Sequence, residues 1–170
     1  FNSSEIPAAR YENCVVDNFL ENEFIQVFDE EFKEKLQSVE IATIKTDNLG
    51  KANPETTLIK RQIFLLSYTE IGMEENPLEA VEGKKISAFK DSTSRIAYDS
   101  SGMAGSWWTR TAHNWGGDLA VGIGPDGSAG PGATSSLNGV RPAFCLPSDM
   151  KIVKSQDVID NKTVYILEEV

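Results

Sequence analysis

The chain has 170 residues, of which 40% are hydrophobic and 25% are charged, and its formal net charge is −10. A chain of this length buries roughly 70% of its unfolded surface, which is enough for one core without stabilising disulfides or metals. No stretch approaches the roughly 18 apolar residues of a membrane span, so we expect no membrane insertion. The acidic balance disfavours nucleic acid and anionic lipid as partners, since both require clustered Lys and Arg.

The sequence contains two cysteines, Cys14 and Cys145, and one histidine, His113. A closed zinc site needs four Cys or His ligands and the chain contains three, so no such site is expected. No other metal and no cofactor is predicted. Both cysteines have apolar neighbours, which favours free thiols that pack as small hydrophobic groups. A disulfide between them is the alternative, because a long closed loop would gain stability from it.

Amphipathic helix is predicted for the N-terminal segment. Apolar residues recur at three- and four-residue steps between Tyr11 and Leu36, with acidic residues between them. A second helix should begin at Asp29, because its carboxylate can cap the amides that follow and further acids occupy the first turn. Seven of the ten net negative charges lie in residues 1–40. Their interleaving with apolar residues indicates a solvated helical face.

Two strands and a loop are predicted in the following segment. Residues 39–45 alternate apolar and polar side chains, as a half-buried strand does. Residues 46–57 contain Asn, Gly and Pro in turn-forming combinations and are predicted to be loop. Residues 62–66 form a short continuous apolar run, which is typical of a strand buried on both faces.

A capping box follows at once. Ser67 and Glu70 have the spacing at which the serine accepts from the third amide while the glutamate reaches back, so a short helix is predicted there. Residues 72–105 are polar and rich in serine. They are predicted to be mostly loop, with one short helix near residues 91–97.

The C-terminal part has the character of a β structure. Eight of the 13 glycines fall between Gly116 and Gly139. The predicted strands are residues 106–111, 119–123, 140–146 and 163–167. Gly122 to Gly127 matches GxGxxG, but the Ser, Ala, Gly and Pro that follow cannot propagate a helix, so we interpret it as a hairpin turn at residues 125–127. Helices first and strands later predict an α+β fold.

Several motifs occur in an order that resembles a bacterial domain family of unknown function. They are Ser-Trp-Trp-Thr-Arg-Thr at 106–111, Asp-Gly at 126–127, and Asn-Gly-Val-Arg-Pro-Ala-Phe at 138–144. Upstream, Tyr-Glu-Asn-Cys at 11–14 and Ile-Phe-Leu-Leu-Ser at 63–67 with Glu70 are similar to the helix and strand motifs of that family. The resemblance spans about residues 10–146.

The resemblance implies one domain over residues 1–170, with N-terminal helices packed on an antiparallel β half that carries long glycine-rich loops. The β half should be similar to C-type lectins and to formylglycine-generating enzymes in fold. Strands that precede the Tyr-x-Asn helix in the family have no counterpart before Phe1, so the domain is either truncated or completed by another segment. An extracellular or cell-surface location is also implied by the resemblance alone.

The candidate ligand-binding residues lie on or next to the loop 113–118. They are Trp115, His113, Asn114, Asp118 and Arg110. An indole in a glycine-flanked loop can stack on a sugar ring, and a guanidinium can bind a carboxylate with two hydrogen bonds. The motif residues predicted to be structural are Trp107, Trp108, Arg141 and Pro142. At least one of the two adjacent tryptophans should be buried, and Arg141 should hold carbonyls of the glycine-rich loop.

The sequence therefore predicts a binding or display module that is not an enzyme. Loops 113–118 and 128–138 form the hypothesised ligand face, because long loops on a fixed scaffold commonly carry recognition. A glycan or a protein is the expected ligand, and motifs of calcium-dependent lectins are absent. A protein-interaction domain that uses these loops or the acidic helical face is one alternative. An enzyme is the other, and it would require His113 at its centre.

Overall fold

The computed structural model describes residues 1, 9–73, 80–159 and 162–169. The helical elements are α1 (Val15–Asn22), a 3-10 turn (Phe24–Val27), α2 (Glu30–Lys35) and α3 (Ser92–Arg95). The strands are β1 (Val39–Thr46), β2 (Ala52–Arg61), β3 (Ile63–Leu65), β4 (Ala97–Tyr98), β5 (Ala104–Gly105), β6 (Trp107–Ala112), β7 (Leu119–Ile123), β8 (Ala129–Ala133), β9 (Pro142–Phe144), β10 (Met150–Ile159) and β11 (Lys162–Glu169).

All strand pairs among the described residues are antiparallel. β6, β7 and β8 form a three-stranded sheet, while β1 pairs with β2, β3 with β9, β4 with β5, and β10 with β11. Helix α1 packs on β3 at the centre of the molecule. The α+β class is therefore confirmed. In the part of the chain that the structure describes, no helix is long and apolar enough to cross a membrane.

The N-terminal helices follow the prediction. A 3-10 turn interrupts them, and α2 begins after Asp29, whose Oδ1 accepts the amide of Phe32 at 2.8 Å. Helix α1 is capped by a thiol, since Sγ of Cys14 accepts the amide of Asp17 at 3.3 Å. Cys14 and Cys145 are both free, as their apolar neighbours indicated.

The prediction of a loop for residues 46–57 is wrong for the second half of that segment. The chain turns at residues 47–50 and enters β2 at Ala52, so Pro54 lies within a strand. Among the residues that the structure describes, β2 pairs with β1 alone, and the register shifts between Ile44 and Thr46, opposite this proline. An edge strand with such an irregularity tolerates a residue that has no amide hydrogen.

The capping box at Ser67 forms, but the predicted helix does not. The serine Oγ accepts the amide of Glu70 at 3.1 Å, and Oε2 of Glu70 accepts the amide of Ser67 at 3.0 Å. The turn then closes with bonds from Met73 to the carbonyl of Tyr68 and from Gly72 to that of Thr69. These are the two bonds of a Schellman motif, with Gly72 at φ 77°, so the chain makes one hydrogen-bonded turn and does not continue as a helix.

The β half follows the prediction at β6, β7 and the turn at residues 125–127, where Gly127 has φ 77°. The short helix near residues 91–97 is confirmed as α3, capped by Asp91. β9 is shorter than predicted and β11 longer, while β8 and β10 were missed. β8 has the sequence Ala-Gly-Pro-Gly-Ala, which favours loop locally. Its pairing along all of β7 makes it a strand.

Candidate ligand-binding site

Arg110 lies in the core, not on a ligand-facing surface, which corrects the sequence-based assignment. Its exposed fraction is 1%. Nη1 and Nη2 contact the two carboxylate oxygens of Glu70 at 2.6 and 2.8 Å. The guanidinium also donates to the carbonyls of Ala42 at 2.9 Å, Leu65 at 2.7 Å and Glu82 at 3.3 Å. Because all five of its N–H groups have acceptors, Arg110 is a structural residue that ties four segments together.

Glu82 is a second buried acid in this network, and the sequence analysis did not find it. Oε1 accepts the amide of Ile44 at 2.9 Å, and Oε2 accepts the hydroxyl of Thr111. Complete burial raises the pKa of Glu82, because a charged carboxylate is disfavoured away from water. Its neighbours Val81 and Gly83 carry no pattern that predicts burial, so only the packing of β1 against β6 reveals it.

The two motif tryptophans are both buried, each with 1% exposure. Trp107 donates from Nε1 to the carbonyl of Arg95 at 2.9 Å. Arg95 in turn donates from Nε to the carbonyl of Gly127 at 2.9 Å, so Arg95 holds the turn between β7 and β8. We predicted that role for Arg141, which instead stacks on the ring of Trp107 at 5.0 Å. Pro142 pairs with Leu65 between β9 and β3.

The upstream Tyr-x-Asn-Cys motif is structural as well. The hydroxyl of Tyr11 accepts the amide of Leu65 at 3.0 Å. Asn13 has φ 63°, a left-handed conformation that asparagine tolerates better than most residues, and it leads into the Cys14 cap. Together these contacts fix α1 against β3.

A cleft forms where the loop 113–118 meets the glycine-rich loop. Its volume is about 180 Å³, and it is lined by Tyr68, His113, Trp115, Val121, Ala129, Gly130 and Pro131. We call it the Trp115 cleft. The structure thus brings together the two loops that the sequence analysis assigned to one ligand face. Asn114 is half-buried and Asp118 is exposed, and neither is among the described residues that line the cleft.

Trp115 is the exposed aromatic residue of the cleft, with 74% of its surface accessible. The rings of Trp115 and His113 form a T-shaped pair, at a centroid distance of 4.8 Å and an interplanar angle of 72°. The amide of Trp115 donates to Nδ1 of His113 at 3.1 Å. His113 is 5% exposed, and its amide donates to the carbonyl of Leu119 at 2.8 Å. The imidazole is therefore a buried, hydrogen-bonded ring that packs against the exposed indole.

Gly117 positions the same loop against the β1–β2 turn. A Cβ atom at Gly117 would lie 1.7 Å from the carbonyl oxygen of Leu49, so only glycine fits this approach. The carbonyl of Gly117 also accepts the amide of Ala9 at 2.6 Å. From the other side, the amide of Thr134 donates to the carbonyl of Asp118 at 2.8 Å. The C-terminal end of the loop that carries Trp115 is thus held from two sides.

A shallow trough adjoins the cleft along β7 and β8. It has a volume of about 210 Å³ and shares Ala129, Gly130 and Pro131 with the cleft. Four glycines contribute to its lining, and a Cβ atom at one of them, Gly132, would lie 2.6 Å from the ring of Trp108. Asn138 and Ser128 contribute polar side chains to its walls. We call this surface the glycine trough.

Sequence similarity relates the chain to a known family. The sequence profile of a family described as a domain of unknown function (DUF6273) matches residues 2–148. The chain belongs to the DUF6273 family. The predicted membership of a domain family of unknown function is confirmed, and β10 and β11 lie beyond the matched DUF6273 region. Comparison with curated proteins and with solved structures yields no match.

The contact between His113 and Trp115 predicts that the stability of the DUF6273 domain depends on pH. Burial lowers the pKa of His113, and a protonated imidazole has no acceptor at Nδ1 for the amide of Trp115. A histidine in the unfolded chain titrates at about pH 6.5. The stability contributed by neutral His113 should therefore be fully present above that pH, and it should decrease as the pH falls towards the lower pKa of the folded state.

We therefore expect the urea midpoint to decrease between about pH 7.5 and about pH 5.5, followed by tryptophan fluorescence. His113→Gln is the matched variant, and it should show a smaller decrease over the same range. Equal pH dependence in both proteins would contradict this role of His113.

Proposed function

We propose that this DUF6273 domain is a non-catalytic binding module that recognises a sugar at the Trp115 cleft, displayed by a bacterial surface or secreted protein. The observation that carries the proposal is the 74% exposed indole of Trp115 on a fixed base within a concave site. Ligand sites are typically concave and combine aromatic surface with a few polar groups.

The physical basis is stacking. The C–H groups of a sugar ring carry partial positive charge and pack against the negative face of an indole. The ring of His113 packs against that of Trp115 in a T-shaped arrangement, and the amide of Trp115 is hydrogen-bonded to Nδ1 of His113. A ring that is ordered before binding loses less conformational entropy when the ligand arrives.

The glycine trough supports a ligand longer than one sugar. It continues from the cleft through Gly130 and Pro131, and four of the residues that line it are glycines, which leave room for a chain of rings. The Ser128 and Asn138 side chains supply hydrogen-bonding groups there. A ligand stacked on Trp115 would place its next unit in this trough.

A protein ligand is the second candidate, favoured by the helical face rather than by the cleft. Val15, Phe19 and Val27 are 46%, 37% and 68% exposed there, among the acidic residues of the N-terminal segment. Exposed apolar side chains surrounded by charged residues are typical of a protein–protein interface. This surface contains none of the residues of the Trp115 cleft, so variants of the two surfaces separate the two functions.

The test is binding of the complete chain to an array of glycans and bacterial wall polysaccharides, with calcium and with chelator. We expect saturable binding that Trp115→Ala weakens at least about tenfold, which is roughly 1.4 kcal/mol. Tyr98→Ala is the matched control, because Tyr98 is an aromatic residue with 67% exposure outside the cleft. Absence of saturable binding, or equal loss in both variants, would overturn the proposal.

A further inference from the structure

A second, larger groove lies away from the Trp115 cleft, between the β4–β5 hairpin and the start of β9. Its volume is about 560 Å³. Tyr98, Trp107, Val140 and Arg141 contribute to its lining. Tyr98 is 67% exposed and Val140 is 37% exposed, so the groove presents apolar surface to solvent beside a single guanidinium.

Arg141 differs from Arg110 and Arg61 in its hydrogen bonds. Its guanidinium carbon lies 5.0 Å from the ring centre of Trp107 and 5.3 Å from that of Phe89. Within the described residues it makes one long hydrogen bond, from Nη1 to the carbonyl of Arg95 at 3.4 Å, and no ion pair. By contrast, Arg110 is paired with Glu70 and Arg61 with Asp17.

This arrangement leaves hydrogen-bond donors on Arg141 available to a ligand. An arginine has five N–H donors in one plane, which match the two oxygens of a carboxylate. Burial lowers the pKa of Arg141, which reflects its partial removal from water. A partly desolvated cation is stabilised by an anion that replaces the lost solvation.

The acid within the groove does not supply that anion. The Oδ1 atom of Asp99 accepts the amide and hydroxyl of Ser101 at 2.8 and 2.6 Å and the amide of Met103 at 3.0 Å. These bonds lower the pKa of Asp99 and orient its carboxylate into the turn between β4 and β5. Asp99 therefore closes the hairpin that forms one wall.

We propose that this groove binds small carboxylates carried on an apolar or aromatic group, with Arg141 pairing with the carboxylate and Tyr98 and Val140 contacting the apolar group. The inference does not rest on the sugar-binding function, since the groove shares no lining residue with the Trp115 cleft and one, Ser106, with the glycine trough. Stacking between Trp107 and Phe89 holds the guanidinium in place, so little side-chain entropy is lost on binding.

The test uses phenylacetate as the probe and phenylacetamide as its uncharged counterpart, with binding to the complete chain measured by calorimetric titration. We expect saturable binding of phenylacetate and at least about tenfold weaker binding of the amide. Val140→Asp should abolish binding of phenylacetate, because it places a competing carboxylate beside Arg141. Leu137→Asp adds the same charge at a fully exposed position outside the lining and should leave binding unchanged.

Two further variants test the role of Arg141 and the separation of this groove from the Trp115 cleft. Arg141→Gln removes the charge and should prevent binding, with thermal unfolding used to show that the variant is folded. Trp115→Ala should bind phenylacetate like the wild type, which separates this site from the proposed sugar site. No saturable binding of phenylacetate, equal affinity for acid and amide, or equal effects of the two aspartate variants would overturn the inference.

Discussion

Replacement of Arg110 by Met is expected to lower the free energy of unfolding by about 3 to 5 kcal/mol, the cost of breaking a buried ion pair from one side. Glu70 would then keep a carboxylate that is largely removed from water, without its cation. The carbonyls of Ala42 and Leu65 would lose their donors at the same time. The measurement is urea-induced unfolding of the wild-type and variant proteins.

A surface ion pair provides the control. Lys45 and Glu55 are 2.9 Å apart, with side chains 47% and 68% exposed. Lys45→Met should leave the urea midpoint nearly unchanged, because water replaces an exposed ion pair. A similar loss of stability in both variants would mean that the Arg110 network contributes no more than a surface contact.

The double variant Glu70→Met with Arg110→Met refines this prediction. Removal of both charges eliminates the unpaired carboxylate, so part of the lost stability should return. Recovery should be incomplete, since the carbonyls of Ala42 and Leu65 still lack donors and Ser67 loses the partner of its amide. Full recovery would show that the carbonyl contacts are not needed.

Gly117→Ala is expected to lower the free energy of unfolding by about 1 to 3 kcal/mol, the usual cost of overpacking. The added methyl would lie 1.7 Å from the carbonyl oxygen of Leu49, and a backbone atom cannot rotate away as a side chain can. Either the β1–β2 turn or the Trp115 loop must move. We therefore also expect weaker sugar binding from this variant at temperatures where it remains folded.

Gly130→Ala is the matched control for the second prediction. Nothing lies within 4 Å of a Cβ atom at Gly130, which is on β8 and contributes to both the cleft and the trough. Its urea midpoint should stay close to that of the wild type. If Gly117→Ala is as stable as Gly130→Ala, the loop is not held against the β1–β2 turn in the way described.

Local signals predicted much of the N-terminal and central structure. The cap at Asp29, the alternation in β1 and the capping box at Ser67 depend on neighbours within a few residues, so the sequence contains their determinants. The single helical turn after Ser67 shows the limit of such signals. A capping box promotes initiation, but Gly72 and the Schellman bonds ended the helix at once.

The candidate site was predicted in part. The sequence identified His113 and Trp115 and placed two loops on one face, because glycine-rich loops follow β strands in the chain order. The sequence also placed Arg110 at this site. No local feature of a motif arginine on a strand distinguishes a buried guanidinium from an exposed one. Its acceptors on Ala42, Leu65 and Glu70 lie 40 or more residues away.

The sequence by itself determined the class of the fold, the acidic helical face and the presence of an aromatic loop, all of which follow from composition and short-range periodicity. Only the tertiary structure decided that Ala129–Ala133 is a strand, that Glu82 is buried and that Arg141 faces a groove. The physical reason is the same in each case. Strand pairing, burial and charge pairing join residues that are distant in sequence, and no local pattern contains them.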